Sequence, residues 1–252
     1  MLPTLQIGPL ALPAPELALI ISIYIGLYLM ETWLKQEDIP VDIYANLILF
    51  GLAAYLLGGR LGFIAVHLPA FAGNPADIFS RNLDLFDPFF GFAFASLLIA
   101  VISQRAKCPS GTLFTALAIF GSVLLLGFDV SQIASGKAYG STSNLPWAIT
   151  LWAAQRHPAQ IYQLLLDLLF CIIWLVAVFK GRLGNVSIVW LFLLACASRF
   201  FVEAFRAEGD YLPGGWRLNQ VWQLAGTLLA AYVISHLHNS SKTSFQKDNS
   251  HG

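Results

Sequence analysis

The sequence has little charge. Charged residues make up 11% of its 252 positions, against roughly 25% in an ordinary soluble domain. Apolar residues fill the deficit at 57%, which excludes a soluble globular class and predicts an integral membrane protein. The 14 Lys and Arg balance the 14 Asp and Glu, so no net field of either sign points to nucleic acid or to an acidic partner. Cysteine is scarce. Cys108, Cys171 and Cys196 lack metal-ligand spacing and two of them lie inside apolar runs, so they read as small buried hydrophobes, with no disulfide and no metal site. The opening MLPTLQIGPLALPAPE has no basic region, so no cleavable signal peptide is expected and the first span stays in the protein. No Ser-His-Asp order, phosphate-binding loop or His-Glu zinc spacing occurs, which leaves a hydrolase triad, an ATPase and a zinc enzyme without support, and no cofactor is expected. There is no internal repeat and no pair of broken spans, as a transporter would show.

What the chain has in quantity is apolar runs long enough to cross a bilayer, which takes about 20 residues. They fall at roughly 15–34, 44–66, 86–103, 112–134, 160–179, 187–206 and 218–237. The expected fold is an all-α integral membrane protein of about seven transmembrane helices, with a small extracytoplasmic excursion between the fourth and fifth. Residues 1–238 form the polytopic membrane domain, and 239–252, NSSKTSFQKDNSHG, a polar cytoplasmic tail without fixed structure. Orientation follows from the basic residues of the short loops. Lys35, Arg105, Lys107, Lys180, Arg182, Lys242 and Lys247 mark the cytoplasmic side, which puts the N-terminus outside and the C-terminus inside. The excursion, about 135–159, mixes Gly, Ser and Pro with a short alternating run near Leu145 to Trp152 and reads as one hairpin.

Several basic residues break the positive-inside tendency and so invite a local explanation. Arg199, Glu203 and Arg206 lie at helical spacing at the end of the sixth run and would share one face as a ladder of alternating sign. A charge at that depth needs a reason: either a cationic site for an anionic head group, or an interfacial salt-bridge ladder that anchors the helix. Arg60 sits in mid-span within GGRLGF, as a phosphate or carboxylate partner or as a snorkelling side chain. At the start of the fifth run Arg156, His157, Pro158, Gln160 and Tyr162 gather a cation, an imidazole, an amide and a phenol at a helix N-terminus, suited to a phosphate or simply to a cap. Asp129, Ser131, Gln132 and Lys137 end the fourth run and either line a cavity or make a hydrophilic helix end. Asp87 before Pro88 is either an N-cap or an acid/base group.

These pieces, taken together, resemble the bacterial prolipoprotein diacylglyceryl transferases. IGPLAL, LGGRLGF, NPADIF, GKAYG with NLPWAI, RHPAQIY and SRFFVEAFR occur in family order over nearly the whole chain. RHPAQIY is similar to the family's Arg-His-Pro-Ser-Gln-Leu-Tyr signature, and SRFFVEAFR to its Arg-Phe-x-x-Glu-x-x-Arg helix. The resemblance implies transfer of a diacylglyceryl group from phosphatidylglycerol to the lipobox cysteine thiol of a prolipoprotein signal peptide, at the inner membrane of a bacterium, with release of glycerol phosphate. Carried over residue by residue, it implies catalytic roles for His157, Arg199 and Glu203, and phospholipid binding by Arg60, Gln160, Tyr162 and Arg206, with Arg156 beside them. The chain departs from the family in two places. The His-Gly-Gly motif is here FDPFFG, which puts Asp87 or nothing in the histidine's place, and Gly-Arg-Ile-Gly-Asn-Phe is here GFDVSQIASG, its arginine and asparagine replaced by residues such as Asp129 and Gln132. Asp87 and Lys137 are the residues that would compensate. A non-catalytic protein of the same fold, binding phospholipid or lipoprotein precursors, is the alternative expectation.

Overall fold

The computed structural model describes residues 4–7, 10–71, 85–183 and 186–249. The NPADIF stretch and Arg81 lie outside the described residues, as do Gly8 and Pro9 of IGPLAL. Elements run in the order β1 (Thr4–Ile7), β2 (Leu10–Pro13), α1 (Ala14–Gln36), α2 (Val41–Val66), α3 (Leu68–Phe71), α4 (Pro88–Arg105), α5 (Ser110–Ser135), β3 (Ile149–Leu151), β4 (Ala154–Arg156), α6 (Ala159–Phe179), α7 (Ser187–Glu203) and α8 (Leu218–Asn249). Helices α1, α2, α4, α5 and α6 are long and apolar enough to cross a membrane. The protein is thus a helical membrane protein, and each of the seven apolar runs corresponds to one long helix. Helix α7 has 17 residues, about 26 Å of rise. Helix α8 continues in helical conformation to Asn249, through most of the polar stretch after residue 238. The N-terminal hairpin, with Thr4 opposite Pro13, has no counterpart in the sequence reading.

The chain divides into two compact units, Met1–Met30 with Leu117–Gly252, and Glu31–Ala116. In the second unit α2 packs on α4 through small residues. Membrane helices have no hydrophobic drive toward one another, so close backbone approach and dispersion must hold them. Gly58 faces Phe94, Gly62 faces Phe90, and Gly91 of α4 faces Tyr55. A methyl group on Gly62 would lie 2.3 Å from the Phe90 ring, so nothing larger than hydrogen fits. Helix α4 begins where Asp87 accepts hydrogen bonds at Oδ1 from the amides of Phe89 (2.8 Å) and Phe90 (3.2 Å), with Pro88 in the first turn. That is a complete N-cap.

In the first unit α6, α7 and α8 pack side by side. Trp174, 1% exposed, donates its indole N–H to the Ser187 carbonyl at 2.8 Å and ties α6 to the start of α7. Cys196 sits against Gly226, bringing α7 and α8 close. Cys171 and Cys196 are free and buried, and Cys108 is free and half-buried, in keeping with their reading as small hydrophobes.

Between α5 and α6 the expected hairpin is present as β3 and β4, with Ile149 opposite Arg156. Its turn is Trp152–Ala153, both at positive φ (52° and 58°), the handedness that matches strand twist in two-residue hairpins. Gly136, at φ 74°, ends α5 in the left-handed conformation that glycine adopts without strain. The segment after α5 is also stitched to the segment after α7. Ser141 N–H donates to Phe205 O (2.8 Å) and Ala207 N–H to Tyr139 O (3.0 Å), with Gly140 bridged to Arg206. Gly140 must be glycine here, because a Cβ would lie 2.1 Å from the His157 carbonyl oxygen.

Candidate active site

The end of α5, the start of α6, the end of α7 and the start of α8 converge on a polar cluster inside an otherwise apolar bundle. Its deepest layer is Asp129, Gln163, Asp167 and Ser198, exposed by 2%, 1%, 7% and 0%. Gln163 Nε2 donates to Ser198 Oγ at 3.1 Å, Ser198 Oγ donates to Asp167 Oδ1, and Arg199 Nη1 lies 3.3 Å from Asp167 Oδ2. Above this layer Glu203 receives two cations, Arg206 Nε at 3.5 Å and Arg217 Nη1 at 3.7 Å, and accepts from Asn219 Nδ2 at 3.3 Å. Arg217 is held in turn by the Arg206 carbonyl at 2.7 Å. Buried charges persist only when paired and hydrogen-bonded, and here each carboxylate that holds a guanidinium is itself fixed by a neutral donor.

The alternating ladder expected on one helix face is therefore corrected in two respects. Arg199 pairs with Asp167 across helices, because Asp167 projects from α6 toward it. Arg206 lies beyond the last turn of α7, in the stitched segment, and reaches back to Glu203.

A second group lies at the start of α6. The His157 ring packs against Phe205 (5.3 Å between centroids) and Tyr162 (6.3 Å), and its Nδ1 is buried without a hydrogen-bond partner among the described residues. Tyr162 Oη accepts from Trp147 Nε1 at 2.8 Å. Gln160 Nε2 donates to the Lys137 carbonyl at 2.9 Å, which tethers α6 to the segment after α5; the Lys137 side chain itself is exposed. Arg156 donates to the carbonyls of Leu151 (3.1 Å) and Gly140 (3.3 Å) and lies 4.7 Å over the Tyr139 ring. A hydrogen bond with Glu208 holds the Tyr139 phenol above its ordinary value.

In the other unit, Arg60 Nη1 donates to the Leu85 carbonyl at 2.8 Å, and the Asp87 amide donates to the Gly59 carbonyl at 3.0 Å. Arg60 thus braces the entry to α4, and Asp87 caps it.

Sequence reasoning singled out Arg199, Glu203 and Arg206 but missed Asp167, Gln163, Ser198, Arg217 and Asn219. One signal was available: Asp167 interrupts the run LLLDLL, and a carboxyl there is costly without a partner. The partner, 32 positions further on, is set by helix packing. Among the described residues no group of three His, Cys, Asp or Glu is placed to hold a metal ion.

The sequence is similar to those of known proteins. A family model described as prolipoprotein diacylglyceryl transferase matches residues 3–236. A phosphatidylglycerol–prolipoprotein diacylglyceryl transferase of Agrobacterium fabrum is 26% identical, covering 95% of this chain and 92% of that one. The proteins of the same name from Gluconobacter oxydans and Finegoldia magna are 29% and 27% identical, covering 91% and 85% of this chain and 91% and 86% of theirs. Since the family match covers residues 3–236 and so reaches each of the seven long helices and both polar groups just described, the chain belongs to the prolipoprotein diacylglyceryl transferase family.

Proposed function

We propose that this chain transfers the diacylglyceryl group of phosphatidylglycerol to the lipobox cysteine thiol of a prolipoprotein, in the inner membrane of a bacterium. One observation carries the chemistry: three guanidinium groups, those of Arg199, Arg206 and Arg217, held by Asp167 and Glu203 at one end of α6, α7 and α8. In the transfer a sulfur–carbon bond forms as the carbon–oxygen bond to phosphate breaks. The thiol must lose its proton and the departing phosphate must be stabilised. His157 takes the thiol proton. Arg199 and Arg206 meet the phosphate, Glu203 fixes Arg206, and Arg156, Lys137, Gln160 and Tyr162 complete the head-group side. Arg60 is assigned to lipid binding on the family resemblance, and Asp87 to capping on its two amide contacts.

The same proposal includes seven spans with the N-terminus outside, and the polar residues 239–252 inside. A periplasm-active reporter should work near Ser143 and fail after Ser241; the reverse pattern would overturn this orientation. A second reading, a non-catalytic binder of phospholipid or precursors, is favoured by one observation, that the residue standing for the family histidine is occupied as a helix cap. Expression in cells depleted of their own transferase decides between them. Restored lipidation of a reporter lipoprotein supports transfer, and good membrane expression without lipidation supports the binder.

A further inference from the structure

The α6, α7 and α8 bundle holds, at the end away from the polar cluster, a cleft of about 650 Å3 that the transfer step does not use. Trp190 and Leu193 of α7 face Ala231 and Ile234 of α8 across it, and apart from Arg182 and Ser235 its lining is apolar. From Gln160 to Phe179 α6 rises about 28 Å, so the cleft and the guanidinium cluster sit at opposite ends of that helix. The backbone fixes where Arg182 stands. Gly181, at φ 66°, ends α6 in a left-handed cap; its N–H donates to Val178 O at 2.8 Å and that of Arg182 to Ala177 O at 2.9 Å.

Charge at the cleft has one sign. The Arg182 and Lys180 side chains are exposed, and neither forms an ion pair among the described residues. The sequence has no Asp or Glu between Asp167 and Glu203, and none from Leu218 to Lys247, so neither wall supplies a carboxylate. Helix α7 adds to the imbalance. Its N-cap, Val186, lines the cleft and offers no side-chain cap, and its first turn has no acidic residue. An uncapped helix start presents amide N–H groups and partial positive charge, which favour an anion.

The surroundings select the kind of anion. Helix α6 is long and apolar enough to cross a membrane, so Lys180 and Arg182, directly after its last turn, stand at head-group depth. An apolar wall alone gives little preference in a membrane, because acyl chains are as apolar as leucine. Selectivity then comes from the basic residues, each of which favours an anionic over a neutral head group by about fivefold. A soluble anion would leave the apolar walls bare, and a neutral lipid would leave Arg182 unmatched. The volume lies within the range of about 300–1,000 Å3 that holds small ligands.

We infer that this cleft binds an anionic phospholipid, with one acyl chain between the walls of α7 and α8 and the head-group phosphate at Arg182 and the amide start of α7. It is a second lipid site, separate from the donor site, and it does not depend on the transfer reading.

Intact-complex mass spectrometry of the full chain in detergent micelles, titrated with phosphatidylglycerol or with phosphatidylcholine of the same chains, counts the lipids retained. Arg182→Gln should bind one phosphatidylglycerol about fivefold more weakly than wild type, Arg182→Lys should recover most of that loss, and phosphatidylcholine should bind all three alike. Ala231→Trp fills the cleft with Arg182 in place and should lose the same lipid. Arg182 and Ala231 are both exposed, so each variant should melt with wild type in phosphatidylcholine, where the cleft lipid is absent. Unchanged phosphatidylglycerol binding in Arg182→Gln overturns the proposal. Retention of the lipid by Ala231→Trp overturns it too, by placing the anion on the surface alone, as does displacement by free glycerol phosphate, which would make the occupant a soluble anion. A failed donor reading would remove a different bound lipid and leave these comparisons between variants intact.

Discussion

Two arginines in this protein sit inside apolar helices and are satisfied in opposite ways. Arg60, in α2, gives a hydrogen bond to the carbonyl of Leu85 at the entry to α4, beside a seam of glycines that fills with phenyl rings. Arg199, in α7, lies in a layer of side chains that carry opposing charge and alternate donors. The first region is held by shape and its charge finishes a backbone; the second is held by charge, and its shape follows from which carboxyl faces which cation. Shape tolerates little change in volume. A charge network tolerates little change in charge and responds to any anion that approaches it.

The contrast predicts graded damage. Asp167→Ala should do most, since it strands Arg199 and removes the carboxylate that accepts from Ser198; losing one partner of a buried pair costs about 3–5 kcal/mol, and transfer should fall by about a hundredfold or more. Unchanged melting and turnover in that variant would erase the distinction between the regions. Gly62→Leu should come next, lowering stability by about 1–3 kcal/mol through overpacking against Phe90 while the folded fraction keeps its phosphatidylglycerol affinity. A loss of lipid affinity at matched folded fraction would show that the glycine seam shapes the lipid site as well. Arg199→Lys keeps the charge but not the planar fork, so lipid affinity should drop by about tenfold, with Arg199→Ala falling further. Equal behaviour of the Lys variant and wild type would reduce Arg199 to a point charge. Asp87→Asn should do least, because asparagine caps about as well as aspartate; stability should shift by no more than a few tenths of a kcal/mol and transfer should persist. Abolished transfer with intact membrane insertion would make Asp87 the base.

Most of the helical layout was legible, because long apolar runs have few other ways to satisfy their backbone in a membrane. The excursion was legible too, since its Gly, Ser and alternating residues match one hairpin. The candidate site was legible only where charge stood at helical spacing. Glu203 and Arg206 were found that way, although Arg206 proved to lie past the helix end. Asp167 and Arg217 do not stand out from the sequence, because their partners are set by packing between helices. Asp129 was read as a departure from the family pattern. Its burial near the end of α5 is set by packing, which local spacing does not reach.

The stitching of the segment after α5 to the segment after α7 bears on how the chain is made. The Ser141–Phe205 contact spans 64 positions, and all of α6 and α7 lies between the two ends. During synthesis it closes only after all of α6 and α7 has been made, so the seam that holds the segment carrying Arg206 forms late in assembly. A nascent chain halted before Phe205 carries Asp129, Asp167 and Arg199 but has no seam to hold the far end of α7, and the cluster's upper layer waits for the ribosome to reach Arg217.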